Sequence, residues 1–235
     1  MQVSGKTGET LTDNLQKIFI IDHPKVRGVH AWVGAMRLFS SVGSDFDFSA
    51  ETQKIIKGLA TTEFARLSDF VTCIGKELYG KLAAGRKSLD AAILQKNSVA
   101  GGLFVAYINK RAERVHLVFP HENGLLSPPF LQEVSEAPKD FFRAGGSDRV
   151  WNDLGQVSPP SSQAEAVDLV RKYIQLCVDK SEEYPECKGT GGKIRIAAVT
   201  PDTVEWINLP HQPPTPTAPQ TPDAPKQGSP GNDSV

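Results

Sequence analysis

The sequence predicts an α+β fold of four layers, α/β/β/α, in which two central sheets lie between two layers of helices. Three observations lead there. Apolar patterning runs strands, helices, strands, helices, strands along the chain, an order that two stacked sheets flanked by helices satisfy. The stretch "LFVAYI" is apolar on both of its alternating sets, Leu103, Val105 and Tyr107 against Phe104, Ala106 and Ile108, so it needs a layer on each side. After Leu209 almost nothing apolar remains to bury, which sets the end of the folded domain.

Taken in order, residues 1–14 form a polar N-terminal segment, "MQVSGKTGETLTDN", which is no signal peptide and supplies no strand to a central sheet. Its "GKT" has no glycine five residues before Gly5 and no preceding strand, so it is not a phosphate loop. The domain, residues 15–209, begins with "LQKIFIID" and "GVHAWVG", a hairpin joined through Pro24. From Phe48 to Gly85 the pattern is helical: Phe64, Leu67, Val71, Ile74, Leu78 and Leu82 recur at steps of three and four. Ser49 and Thr61 are the expected N-caps of its two halves. Two strands, "GGLFVAYIN" and "ERVHLVF", follow around a turn at Lys110–Ala112, and "HENG" turns the chain again.

A strand near Phe141–Arg143 is expected to lead into "AGGSDRVWNDL", where glycines precede a helix-like segment. Ser161 is the expected cap of the next helix, with Ala166, Leu169, Val170, Tyr173, Ile174 and Cys177 as its stripe and Pro185 as its stop. The domain closes with "KIRIAAVT" and "TVEWINL", hinged at Pro201 and Asp202. In the tail, residues 210–235, Pro213, Pro216, Pro219, Pro222 and Pro225 recur every third position. Polyproline II would place them on one edge, as in ligands of SH3-type grooves; the plainer reading is a solvated tail.

Composition narrows the function. A net charge of −1 gives no electrostatic case for nucleic acid or an anionic membrane, and no run approaches the roughly 18 apolar residues of a membrane-spanning helix. His23, His30, His116, His121 and His211 show no ligand spacing, so neither a metal nor a cofactor is expected. Cys73, Cys177 and Cys187 form no C-x-x-C pair and read as reduced thiols of a cytoplasmic protein. No G-x-S-x-G is present. Trp32, Trp151 and Trp206 read as core or half-buried packing.

The corner Gly189-Thr190-Gly191-Gly192, the strand "KIRIAAVT" and the short hairpin after it resemble the close of proteasome β-type subunits, members of the N-terminal nucleophile (Ntn) hydrolases. There a small hydroxyl residue and two glycines precede a strand of the type I-x-V-A-V-I-T. "QKIFIID" is similar to the family's lysine-bearing strand, "GGLFVAYINKRAERVHLVFPHENG" to its central hairpin, and "AGGSDRVW" to its turn into the third helix. The resemblance covers Thr12 to Leu209. It implies the Ntn four-layer sandwich, with the glycine corner running close beside a nucleophile. It also implies that Lys17 points into the central cleft and stabilises the ionised nucleophile, that Thr190 offers a hydroxyl to the N-terminal amine, and that Ser147 supports it. Peptide-like substrates, and homo- or hetero-oligomers formed through the helical layers, would follow.

The chain departs from that pattern at decisive positions. Ntn chemistry uses the side chain and amine of the first residue, and the sequence offers Met1 and Gln2. Ser4, Thr7, Thr10 and Thr12 stand fewer than 16 residues from Lys17, too few for a full hairpin at about 3.3 Å per residue. Cys187 takes the place of the expected acidic partner, with Glu186 one step off, and Gly145 replaces the first supporting serine. The expectation is a fragment or inactive version of such a peptidase or amidohydrolase, acting on peptides only if a nucleophile lies upstream. The alternative is a non-catalytic, oligomerising or partner-binding subunit that presents the proline-rich tail. A small-molecule-binding α/β protein is the remaining class. "KIFII" and "KIRIAAV" are expected to share a sheet with an unpartnered edge.

Overall fold

A computed structural model describes residues 2–3, 10–12, 16–33, 37–38, 46–85, 100–122, 125–133, 148–184, 187 and 194–207. Alternating apolar residues build an antiparallel meander of five strands: β1 (Ile18–Ile20), β2 (Val26–Val33), β3 (Ala100–Ile108), β4 (Arg111–Phe119) and β5 (Phe130–Glu133). They lie side by side in chain order, with Ile18 opposite Ala31, His30 opposite Phe104, Phe104 opposite Val115 and Leu131 opposite Leu117. One face of the sheet carries Trp32, Phe104, Ile108, Val115, Leu117 and Phe119, all buried. Helices α1 (Phe48–Gly58) and α2 (Leu67–Gly85) cover it, filling the core with Ile55, Ile56, Phe70, Val71, Ile74, Leu78 and Leu82. Trp32 is the hub, with ring centroids 4.8 Å from Phe48 and 6.0 Å from Phe119.

The helix starts differ from the sequence expectation. Asp47, not Ser49, caps α1, accepting from the Ala50 N–H at 2.9 Å, while Ser49 is buried in the first turn. Thr61 is exposed and caps nothing. The first N–H of α2, on Leu67, instead donates to Oε2 of Glu113 at 2.9 Å, a buried carboxylate reaching across from β4. A side chain from another element thus satisfies a donor that local sequence leaves orphaned. The β3–β4 turn is also tighter than expected: Asn109 (φ 49°) and Lys110 (φ 63°) are both left-handed, and Ile108 pairs with Arg111. That is the two-residue hairpin loop matching strand twist, so Ala112 already lies within β4, opposite Tyr107.

Gly28 has a steric reason. A Cβ there would stand 2.2 Å from the Val105 carbonyl oxygen and 2.4 Å from the Ala106 Cβ, so no larger residue fits where β2 meets β3.

A smaller second core joins α3 (Asp148–Asp153) and α4 (Gln163–Asp179) through Val150, Tyr173, Cys177 and Cys187. Ser162 rather than Ser161 caps α4, accepting from the Glu165 N–H at 3.2 Å. Ser161 donates both its N–H and its hydroxyl to Glu165 Oε2, at 2.7 and 2.9 Å, a reciprocal cap displaced by one residue. The helix ends at Asp179 with Lys180 as its cap, ahead of Pro185. Of its predicted stripe, Tyr173 and Cys177 are buried, and Ala166, Leu169, Val170 and Ile174 only half so.

The last hairpin, β6 (Ile196–Val199) and β7 (Val204–Ile207), forms its own two-stranded sheet. "KIFII" and "KIRIAAV" therefore do not share a sheet. The hairpin lies beside β2 and β3, and Arg27 Nη1 donates to the Pro201 carbonyl at 2.6 Å. Short ribbons pair Gln2–Val3 with Thr10–Thr12, Arg37–Leu38 with Phe46–Asp47, and His121–Glu122 with Leu125–Leu126. Among the described residues the first of these joins no other strand. The strand expected near Phe141–Arg143, the 189–192 corner and the tail from 210 lie outside the described residues. The architecture is mixed α+β, and no described helix is long and apolar enough to cross a membrane.

Candidate functional site

Of the three residues expected to carry chemistry, only Lys17 is described; Thr190 and Ser147 lie outside the described residues. Lys17 immediately precedes β1, the last strand on one side of the sheet, and is exposed with respect to the described residues. Neighbouring protein still removes enough water from its ammonium to lower its pKa below the ordinary lysine value. Among the described residues no cluster of His, Cys, Asp or Glu could hold a metal ion.

What the fold does bring together is a polar lock at this same edge. Ile21 N–H donates to the Gly28 carbonyl at 2.9 Å, which turns the backbone groups of Ile18 and Ile20 outward, away from β2. Both outward carbonyls are occupied. Gln16 Nε2 donates to Ile18 at 2.8 Å, and Gln53 Nε2, from α1, donates to Ile20 at 2.9 Å. Two side-chain amides thus occupy the acceptors of the edge that the sequence leaves open.

Gln53 has a second partner, His30 Nε2, at 2.9 Å. The amide nitrogen can only donate, so the imidazole nitrogen accepts and the ring proton sits on Nδ1. His30 is wholly buried between Phe19 and Phe104, with ring centroids 5.4 and 5.6 Å away. Burial pushes its pKa down to about 3. Among the described residues its Nδ1 has no hydrogen-bond partner, nor do the buried Trp32 Nε1 on β2 and Ser49 Oγ on α1. His23, by contrast, is satisfied at both nitrogens, by the Lys25 N–H at 3.2 Å and the Leu59 carbonyl at 3.0 Å. One feature of the sequence could have exposed the lock: Val26, Gly28, His30 and Trp32 alternate, so His30 had to share the core face with Trp32. Nothing in the sequence points to Gln53.

The second face of the sheet is only partly covered. Ile18, Val29, Ala31, Val33, Leu103 and Val105 are half-buried on it, and Ile20 and Phe130 are 40% and 52% exposed. The β6–β7 hairpin lies against part of this face, and its own Trp206 is 40% exposed. The same face also carries Arg27, Tyr107, Arg114 and His116 among its apolar side chains. No family model matches the chain, and no curated protein matches it.

Proposed function

We propose that this chain is a proteasome-subunit-like protein of the Ntn-hydrolase fold that works without catalysis, as an inactive version of the hydrolase serving as a partner-binding subunit. The observation that carries this reading is the main sheet, filled by α1 and α2 on one face and half-covered, with apolar side chains, on the other. In the four-layer α/β/β/α arrangement, the β6–β7 hairpin belongs to the second sheet and α3 and α4 to the second helical layer. Gln16 and Gln53 amides occupy the outward carbonyls of β1, which favours association through the face over strand addition at that edge. The exposed position of Lys17 agrees with a non-catalytic role. The setting is cytoplasmic, the first partner is a second copy of the chain, and the proline-rich tail is displayed for others.

The test is the oligomeric state of the purified chain. A stable interface of this kind needs about 800 Å² from each partner. Ile20→Lys with Phe130→Lys changes two exposed positions, so folding survives and the assembly is expected to fall to monomer by light scattering. Unchanged association in the double variant, or a wild-type monomer at high concentration, would overturn the reading. No hydrolysis of peptides or amides is expected; turnover that disappears in Lys17→Ala would restore the catalytic alternative.

A further inference from the structure

The second core holds a pair of thiols that the sequence keeps apart. Cys177 and Cys187 have no motif spacing, yet the chain folds them together. After α4 ends, the Tyr184 N–H donates to the Lys180 carbonyl at 2.8 Å and the Cys187 N–H to the Tyr184 carbonyl at 2.8 Å, a tight return that lays Cys187 back on the helix. Both are buried in one cluster with Val150 and Tyr173, and burial, helped by the presence of Cys187, raises the Cys177 thiol. Cys73, half-buried on α2, belongs to neither this cluster nor its surroundings.

We propose that Cys177 and Cys187 form a redox modification site, which a low-molecular-weight disulfide converts to a single intramolecular disulfide. The chemistry is thiol–disulfide exchange. A thiolate of the pair attacks one sulfur of the small disulfide and expels one of its halves; the second cysteine then attacks the mixed disulfide and expels the other. One S–S bond forms in the protein, one is broken in the oxidant, and the two thiol protons pass to the departing thiolates. Two thiols that share one small buried cluster can form the bond once their Cβ atoms come to about 3.8 Å.

Access is governed by Tyr184, which packs against the cluster and donates its hydroxyl to Asp153 Oδ2 at 2.8 Å, with Arg149 and Lys180 beside its ring. Burial raises the Cys177 thiol to about 11, which keeps the pair unreactive while that cover is closed. The new bond would close a short loop between the end of α4 and residue 187, tethering the point where the chain leaves the helical layer.

The experiment incubates the folded full chain with oxidised glutathione and reads intact mass, peptide map and thermal unfolding. The expected product loses about 2 Da, the two thiol hydrogens, carries a peptide linking Cys177 to Cys187, and unfolds several degrees higher until dithiothreitol reverses it. Cys73→Ser should behave as wild type, Cys187→Ser should lose the mass change, and Tyr184→Ala should react faster. A stable glutathione adduct on Cys177 or Cys187 without the cross-link would overturn the proposal. So would modification of Cys73 alone.

Discussion

The two cores of this molecule are built to different standards. Around the main sheet, β3 pairs with neighbours over its whole length, and Ile56, Leu67, Phe70, Val71, Ile74 and Leu78 are completely buried. Around α4, four residues are buried and the remaining stripe is only half-covered. The face between the sheet and α1 and α2 is fully covered, whereas the stripe of α4 is only half-covered. Stability therefore resides in the sheet with α1 and α2. The α3–α4 region is the adaptable part, and it is also where the thiol pair sits.

The largest expected effect tests that division directly. Ile74→Ala empties a site with no solvent access and should cost about 2–5 kcal/mol of global stability in denaturant unfolding. Ile174→Ala, on the half-covered stripe, should cost well under half as much, since its removed methylenes were partly in water already. Equal losses would mean that α4 is integrated into one cooperative core, and the contrast would be gone.

Next in size is a pH dependence that belongs to the first region alone. In the folded chain His30 takes up a proton only near pH 3, whereas in the unfolded chain it does so near its ordinary 6.5. Between those values the unfolded state holds more protons, so stability rises with pH across the window and is lost as pH falls through it, with a slope up to about 1.4 kcal/mol per unit. Protonation also replaces the Nε2 acceptor by a donor facing Gln53, which breaks the hold on the Ile20 carbonyl. His30→Phe should flatten the curve between pH 4 and 6.5. If the wild-type midpoint is already flat there, His30 is not the buried, neutral group described.

Much of the first region was legible because its signals are local. The alternation in "LFVAYI" separated Phe104, Ala106 and Ile108, which are buried, from Leu103, Val105 and Tyr107, which are half-buried on the other face. The 3–4 spacing from Leu67 to Leu82 placed those residues on one buried face. What could not be read is long-range. Glu113 serves the start of α2 from 46 positions away, and Gln53 reaches from a helix to a sheet edge; both are ordinary polar residues in sequence. The joining of "KIFII" and "KIRIAAV" failed for the same reason, because strand partnership depends on which edge is already occupied. Cap positions missed by one or two residues, at Ser49 and Ser161, since neighbouring Asp47 and Ser162 are equally good acceptors.

The smallest effect is the sharpest probe of the comparison, because it uses the same chemistry in both regions. Asp47 and Ser162 each accept a first-turn N–H, at 2.9 and 3.2 Å, and losing an N-cap costs about 0.5–2 kcal/mol. Helix α1 is locked onto the sheet through Ile55, Ile56 and Gln53, so it cannot open without opening the core. Asp47→Ala should accordingly lower the global unfolding midpoint. Helix α4 rests on few buried contacts and can open by itself, so Ser162→Ala should leave that midpoint almost unchanged. Its cost should surface instead as faster hydrogen exchange confined to the amides of α4, as expected of a region that unfolds locally below the global limit. A global shift of equal size in both variants would show that the two cores melt as one.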